Sequence, residues 1–325
     1  MSGRSGALFA GSLFVVVAAV CFGTLGPVSR LASEAGVATL GFVTWRSLVG
    51  AVVLGSWLLV LRVRGARLVD LRRIPRREAA VLVSAGVASA LLNVAIFVAF
   101  QRIPIALALL GFYTYPAMVG VLIAVTGRER LDLARVLALL MAMGGMALVV
   151  LGQLGSSGAE ARLDLLGIAL ALFAAGCNVV YIIGARGGYP SVPGRQATFV
   201  VLLVNVACFA LIGLATGGLA SITAPLGEPA AWPWLLFAGT VGAALPSVLF
   251  MAGVRRIGAV RTSIVMLLEP VVGAILAALL LREPLVAIQV AGGALVLSGA
   301  GLAEGRSSRV ADSGMGPAIA EAAAD

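Results

Sequence analysis

Residues 99–131 and 253–285 are two copies of one segment, and they align without a gap. Ala99-Phe100-Gln101-Arg102-Ile103 falls on Gly253-Val254-Arg255-Arg256-Ile257, and Pro116 falls on Pro270. Further on, Arg128-Glu129 meets Arg282-Glu283 and Leu131 meets Leu285. Eight of the 33 positions are identical, and most of the others exchange one small or apolar residue for another. Any fold for this chain must accommodate the same unit twice.

The repeat sits in a chain that is 61% hydrophobic and 11% charged, with mean hydropathy +1.10. Soluble chains carry about 25% charge, and an apolar run of roughly 20 residues is long enough to cross a bilayer as a helix. Ten stretches qualify: 8–29, 39–61, 79–100, 104–126, 133–152, 164–185, 197–218, 231–254, 260–281 and 285–303. The first is longer than the apolar core of a signal peptide and lacks a clear A-x-A site, so it is read as a span. The expected fold is an all-α membrane protein of ten transmembrane helices, in two inverted five-helix repeats around a central cavity. The repeats occupy 8–152 and 164–303. Gly155-Ser156-Ser157-Gly158 reads as part of the joint between them, and 304–325 as a disordered cytoplasmic tail. Internal repeats in so apolar a chain point to a secondary transporter whose site lies where the repeats meet.

The 23 basic residues are all arginine, and histidine is absent. No Walker lysine, Schiff-base lysine or imidazole is available, so no cofactor, metal site or catalytic residue is assigned. Paired aspartate motifs, HExxH and GxSxG are also missing, which argues against a membrane-embedded enzyme. Cys21, Cys177 and Cys208 each lie in an apolar stretch and read as small core residues. With the N-terminus in the cytoplasm, 18 arginines fall inside and four (Arg30, Arg102, Arg162 and Arg282) outside. That bias places both termini in the cytoplasm of a multi-pass cell-membrane (plasma or inner membrane) protein. The net charge of +9 thus reports topology and anionic headgroups, with no call for nucleic acid.

Two charges cannot escape to an interface: Arg46 in the second span and Glu269 in the ninth. A charge at the bilayer centre costs about 2.5–3.5 kcal/mol even on lenient scales, so each needs a partner or a wet cavity. At helical rise Arg46 lies roughly 10 Å below the outer face and Glu269 roughly 14 Å above the inner one. Depth alone lets them pair or share a site. Pro270 follows Glu269, and its repeat mate Pro116 follows Tyr115. Each proline frees a carbonyl, that of Met266 and that of Phe112, and both are read as hinges beside a cavity. Tyr113, Tyr115, Trp45, Asn93, Asn178 and Tyr181 complete the candidates for substrate binding or coupling. An interhelical hydrogen bond is the plain alternative for each polar one.

The run from Arg255 to Gly299 resembles the closing half of the drug/metabolite transporter superfamily, EamA type. The resemblance rests on Arg255-Arg256-Ile257-Gly258-Ala259, Ser263, Glu269-Pro270, Arg282-Glu283-Pro284-Leu285, Gln289, Gly292-Gly293-Ala294 and Ser298-Gly299-Ala300. The first half matches more loosely, through Gly23, Arg46 and Arg102 to Leu131. The resemblance implies gradient-driven export of small metabolites, amino-acid-like, or of drugs, by alternating access. The expected partners are the lipid bilayer and a small-molecule substrate, with protons one candidate for the coupling ion. A passive facilitator of small polar solutes shares this fold and stands as the alternative. Two departures bear on mechanism: the first copy has Tyr115 where the second has Glu269, and Arg130 where the second has Pro284.

Overall fold

The computed structural model describes residues 3–126, 132–157, 164–281 and 285–312, and every regular element among them is a helix. In hydrocarbon no water is available to the backbone, so apolar stretches of this length must satisfy their N–H and C=O groups internally. Nine helical spans are long and apolar enough to cross a membrane: Gly6–Glu34, Thr39–Val63, Arg76–Arg102, Ile105–Val125, Leu133–Gly152, Leu165–Gly187, Gly194–Thr216, Pro229–Ile257 and Ala259–Leu280. A tenth apolar helix, Ala287–Ala303, is shorter. They coincide with the ten stretches read from sequence and are called the first to tenth spans below.

Three details differ from the sequence reading. The fifth helix runs to Ser157, so most of the Gly155–Gly158 joint is helix. The tenth runs on to Asp312, into the stretch expected to be a disordered tail. The ends of both repeat copies, Arg128 to Leu131 and Arg282 to Pro284, lie outside the described residues.

Helix pairing carries the signature of the duplication. The first span packs on the eighth and the third on the sixth. The second packs on the seventh, the fourth on the ninth and the fifth on the tenth. Exchanging each span for the one five places away turns the first–eighth pair into the sixth–third pair and maps the other three onto themselves. That is the pattern of two units related by a pseudo-two-fold axis. With an odd number of spans per unit, the second necessarily enters the membrane inverted.

Glycine sets the closest approach. A Cβ built on Gly145 of the fifth span would lie 2.5 Å from the Gly292 carbonyl oxygen, and one on Gly292 would lie 2.5 Å from that of Gly145. Farther along the same seam, a Cβ on Gly299 would meet Ala138 O at 2.8 Å. The two backbones touch directly, which is how helices gain contact where lipid offers no hydrophobic drive to associate. Outside this core, Leu59, Val63, Val121, Val125, Leu140, Leu211 and Leu279 are exposed. An apolar surface on this scale suits lipid, not water. Cys21, Cys177 and Cys208 are free thiols in or against the packed interior, as expected.

Polar links are concentrated at the two ends. At the arginine-rich end, Gln196 exchanges two hydrogen bonds with Val69, at 2.9 and 3.0 Å. Glu78 accepts from both the N–H and the hydroxyl of Ser191 at 3.0 Å. Arg255 donates to the carbonyls of Ala185, Tyr189 and Val192. At the opposite end, Asp164 caps the sixth span at Leu166 N and pairs with Arg102 at 2.8 Å. The Arg102 hydrogen bond, followed by that from the Leu166 N–H, holds the Asp164 carboxyl below the usual carboxylate range.

Candidate substrate site

The fourth and ninth spans are broken rather than kinked. Helix Ile105–Phe112 is followed by Tyr115–Val125, and Ala259–Met266 by Leu268–Leu281. Pro116 and Pro270 stand in the first turn of the new helices, where an N–H has no intrahelical acceptor and its loss costs little. Tight three-residue turns bridge the gaps: Thr114 N–H donates to Gly111 O at 3.3 Å, and Leu267 N–H to Ile264 O at 3.1 Å. The carbonyls expected to be freed, those of Phe112 and Met266, end the first segments at these breaks. Glu269 falls in the first turn of its helix, where the helix dipole favours a negative charge.

Two further breaks were not expected from sequence. The first span divides at Thr24, and the eighth passes through a π-helical stretch at Thr240–Ala244. Pro27 and Pro246 lie just beyond, so the same proline rule applied to them finds both sites. The breaks converge. A Cβ on Gly23 would lie 2.9 Å from the Glu269 carbonyl oxygen, and one on Gly242 would collide with the Leu25 side chain. Tyr113 and Tyr115 share one buried cluster with Met266, Leu267 and Leu268, which joins the fourth span to the ninth.

At this junction Arg46 and Glu269 lie within electrostatic reach of each other, without a direct ion pair. Glu269 also acts on Tyr113 and Tyr115. Its carboxylate accepts no hydrogen bond among the described residues. Arg46 instead donates from Nη2 to Asn93 Oδ1 at 2.9 Å. Asn93 in turn donates to the Ser89 carbonyl at 2.7 Å. Both charged residues are half-buried although they lie mid-span inside the bundle. Phe112, Tyr113 and Tyr115 form an aromatic wall, with ring centroids 5.2–6.4 Å apart.

The other candidates separate. Trp45 precedes Arg46 in sequence but belongs to another cluster: its indole donates to Ile222 O at 2.7 Å and its ring meets Trp232 edge-on at 5.0 Å. Tyr181 stacks on Phe250 of the eighth span, with centroids 5.6 Å apart. Asn178 is half-buried on the same span as Tyr181. Ser89 and Asn205 join the network around Arg46 although sequence reasoning did not rank them as site residues.

If the two broken spans serve as hinges, Pro116→Ala and Pro270→Ala are expected to insert normally but to slow transport roughly tenfold, a barrier increase of about 1.4 kcal/mol. Rates measured for both single variants and the double variant check this. Parent rates in all three would return the prolines to packing.

The model of the EamA-like transporter family matches this chain twice, at residues 9–151 and 165–303. A crystal structure of a protein superposes with a TM-score of 0.73 at 20% identity, over 90% of this chain and 96% of that one, and shares its fold. No curated protein matches the chain.

Proposed function

The chain belongs to the EamA-like transporter family, and from that premise we propose that it exports small metabolites, amino-acid-like, or drugs by proton-coupled alternating access. Membership makes it a multi-pass membrane transporter of small solutes; the remainder is our reading of the junction. The observation that carries it is the meeting of broken spans from both repeats at one half-buried acid and one half-buried base. Interrupted helices at a repeat interface expose backbone and charge to a substrate at mid-membrane depth. In this reading Arg46, Glu269, Tyr113, Tyr115 and Asn93 contact the solute, with Asn178 and Tyr181 deeper toward the arginine-rich end. Glu269 is the coupling group. The repeats, 8–152 and 164–303, rock about Pro116 and Pro270, and the links at the arginine-rich end act as the inner gate.

The test is transport by the purified protein in proteoliposomes, screened across amino acids and cationic dyes with and without an imposed pH gradient. Uptake that the gradient drives uphill supports the proposal. Equilibration alone, indifferent to the gradient, makes the protein a passive facilitator, and no movement of any solute overturns the transport reading.

Orientation is part of the proposal: both termini in the cytoplasm of the cell membrane, with 153–163 outside. In a background lacking Cys21, Cys177 and Cys208, a cysteine at Ser157 is expected to react with an impermeant thiol reagent in intact cells. One at Ser308 is expected to stay protected. The reverse pattern inverts the topology.

A further inference from the structure

Arg46 is braced by Asn93 of the third span, the first of a row of neutral groups that runs on to the seventh span. Its Nη2 donates to Asn93 Oδ1 at 2.9 Å, and Asn93 Nδ2 to the Ser89 carbonyl at 2.7 Å. The Ser89 hydroxyl meets the Asn205 amide of the seventh span at 3.2 Å. A guanidinium offers five N–H donors, and this row uses one. Among the described residues the buried Arg46 Nε–H has no partner, and neither has the Asn205 Oδ1, on a residue only 4% exposed. Buried polar groups are ordinarily satisfied, and an orphaned donor on a charged group is the costliest kind to leave unmade. The natural relief, an ion pair with Glu269, is not taken. Asn93 holds the guanidinium to the second–third–seventh side of the junction while Glu269 stays free on the other.

Resting on the site reading above, we propose that Arg46, held in place by the row Asn93, Ser89 and Asn205, forms an oxyanion subsite that takes a carboxylate group of the solute. Arg46 binds it through its unused donors, and Asn93 is a positioning residue that fixes the fork. The Asn205 Oδ1, an acceptor, takes a hydrogen bond from a neighbouring N–H or O–H of the same ligand where it has one. The chemistry selects a carboxylate over a phosphate. One guanidinium balances one negative charge, the chain holds no lysine, and no second arginine is deep in the spans. A phosphate dianion would keep an uncompensated charge away from water.

The groups around Glu269 define the electrostatics. Arg46 reaches it from the second span, and Tyr113 and Tyr115 from the fourth. The helices packed on its own carry Cys21, Arg30, Glu34 and Arg135 among their described titratable or charged residues, none of which is among its electrostatic partners. Among the described residues Glu269 is thus the acid competing for the field of Arg46, and removing its charge strengthens the hold on an anion.

The probes are benzoate, benzylamine, benzamide and phenyl phosphate, added to purified protein in detergent at neutral pH, with binding followed by tryptophan fluorescence and calorimetry. Benzoate is expected to bind, and benzamide and phenyl phosphate to bind far more weakly or not at all. Arg46→Gln is expected to weaken benzoate roughly thirtyfold or more. Asn93→Asp, nearly the same shape, supplies Arg46 with a fixed carboxylate and is expected to displace benzoate while the protein still elutes as a single folded species. Glu269→Gln is expected to tighten benzoate severalfold, a gain that a purely structural role for Arg46 does not produce. The proposal is overturned if benzoate fails to bind, if Arg46→Gln leaves its affinity intact, or if benzylamine binds in its place. Solute transport in proteoliposomes alongside absent benzoate binding would sink this subsite and leave the transport reading standing. Absence of both would sink the two together.

Discussion

Gly292→Leu is expected to abolish recovery of folded protein, whereas Gly301→Leu on the same helix is expected to be tolerated. The fifth and tenth spans meet backbone to backbone. A Cβ at position 292 would sit 2.5 Å from the Gly145 carbonyl oxygen and 2.7 Å from Val149 N. Neither atom can swing away as the tip of a side chain would, so relief requires the two helices to separate. Overpacking a core costs about 1–3 kcal/mol where side chains can adjust, and a backbone obstacle places the cost at the upper end or beyond. Separation would also strip contact from Ala138, Ala142, Met146 and Val149, buried along the fifth span, and from Val296 on the tenth. Domains are stable by only about 5–15 kcal/mol, so losses of this size decide whether the protein folds. Gly301, by contrast, has nothing within 4 Å of where its Cβ would stand. Size-exclusion profiles of tagged protein from equal cultures read the difference: a sharp peak for Gly301→Leu and aggregate or no peak for Gly292→Leu. A sharp peak for both would mean that the two helices do not approach as closely as described.

What sequence made legible and what it left dark follow from how membrane helices encode information. Span positions were readable because hydrocarbon enforces helix on every long apolar run, which leaves little for tertiary context to override. The breaks at Phe112–Tyr115 and Met266–Leu268 were readable from Pro116 and Pro270 because proline's missing N–H acts locally. Pro27 and Pro246 carry the same signal, and they lay outside the repeat alignment that drew attention to the first pair. Counting buried charges isolated Arg46 and Glu269. Depth along the axis placed them at similar heights and said nothing about which way each side chain turns. The structure separates Trp45 from Arg46 for that reason: consecutive helical residues point about 100° apart, as 3.6 residues per turn requires, so neighbours in sequence face different helices. Ser89 and Asn205 were illegible as members of one row because their meeting depends on the packing of third and seventh spans. A serine or asparagine in a span reads equally well as interhelical glue.

Glu269→Gln is expected to keep exchanging solute across the membrane and to lose the ability to concentrate it. The glutamine preserves size and hydrogen-bonding capacity while removing titration. If Glu269 carries the coupling proton, it must bind and release that proton as the junction opens alternately to either side, and the conformational cycle itself does not depend on it. One pH unit stores about 1.36 kcal/mol per proton, which sustains roughly tenfold accumulation when one proton moves per solute. In proteoliposomes carrying such a gradient the parent protein should approach that ratio and the variant should settle at unity. With labelled solute at equal concentrations on both sides and no gradient, the two should exchange at similar rates. The paired measurement separates coupling from folding, because a misfolded variant fails both arms. Accumulation by Glu269→Gln to the parent ratio would show that the proton rides elsewhere. No other acid lies in the interior of the spans, so the driving charge would then belong to the solute itself or to an ion held by backbone oxygens at the broken helices.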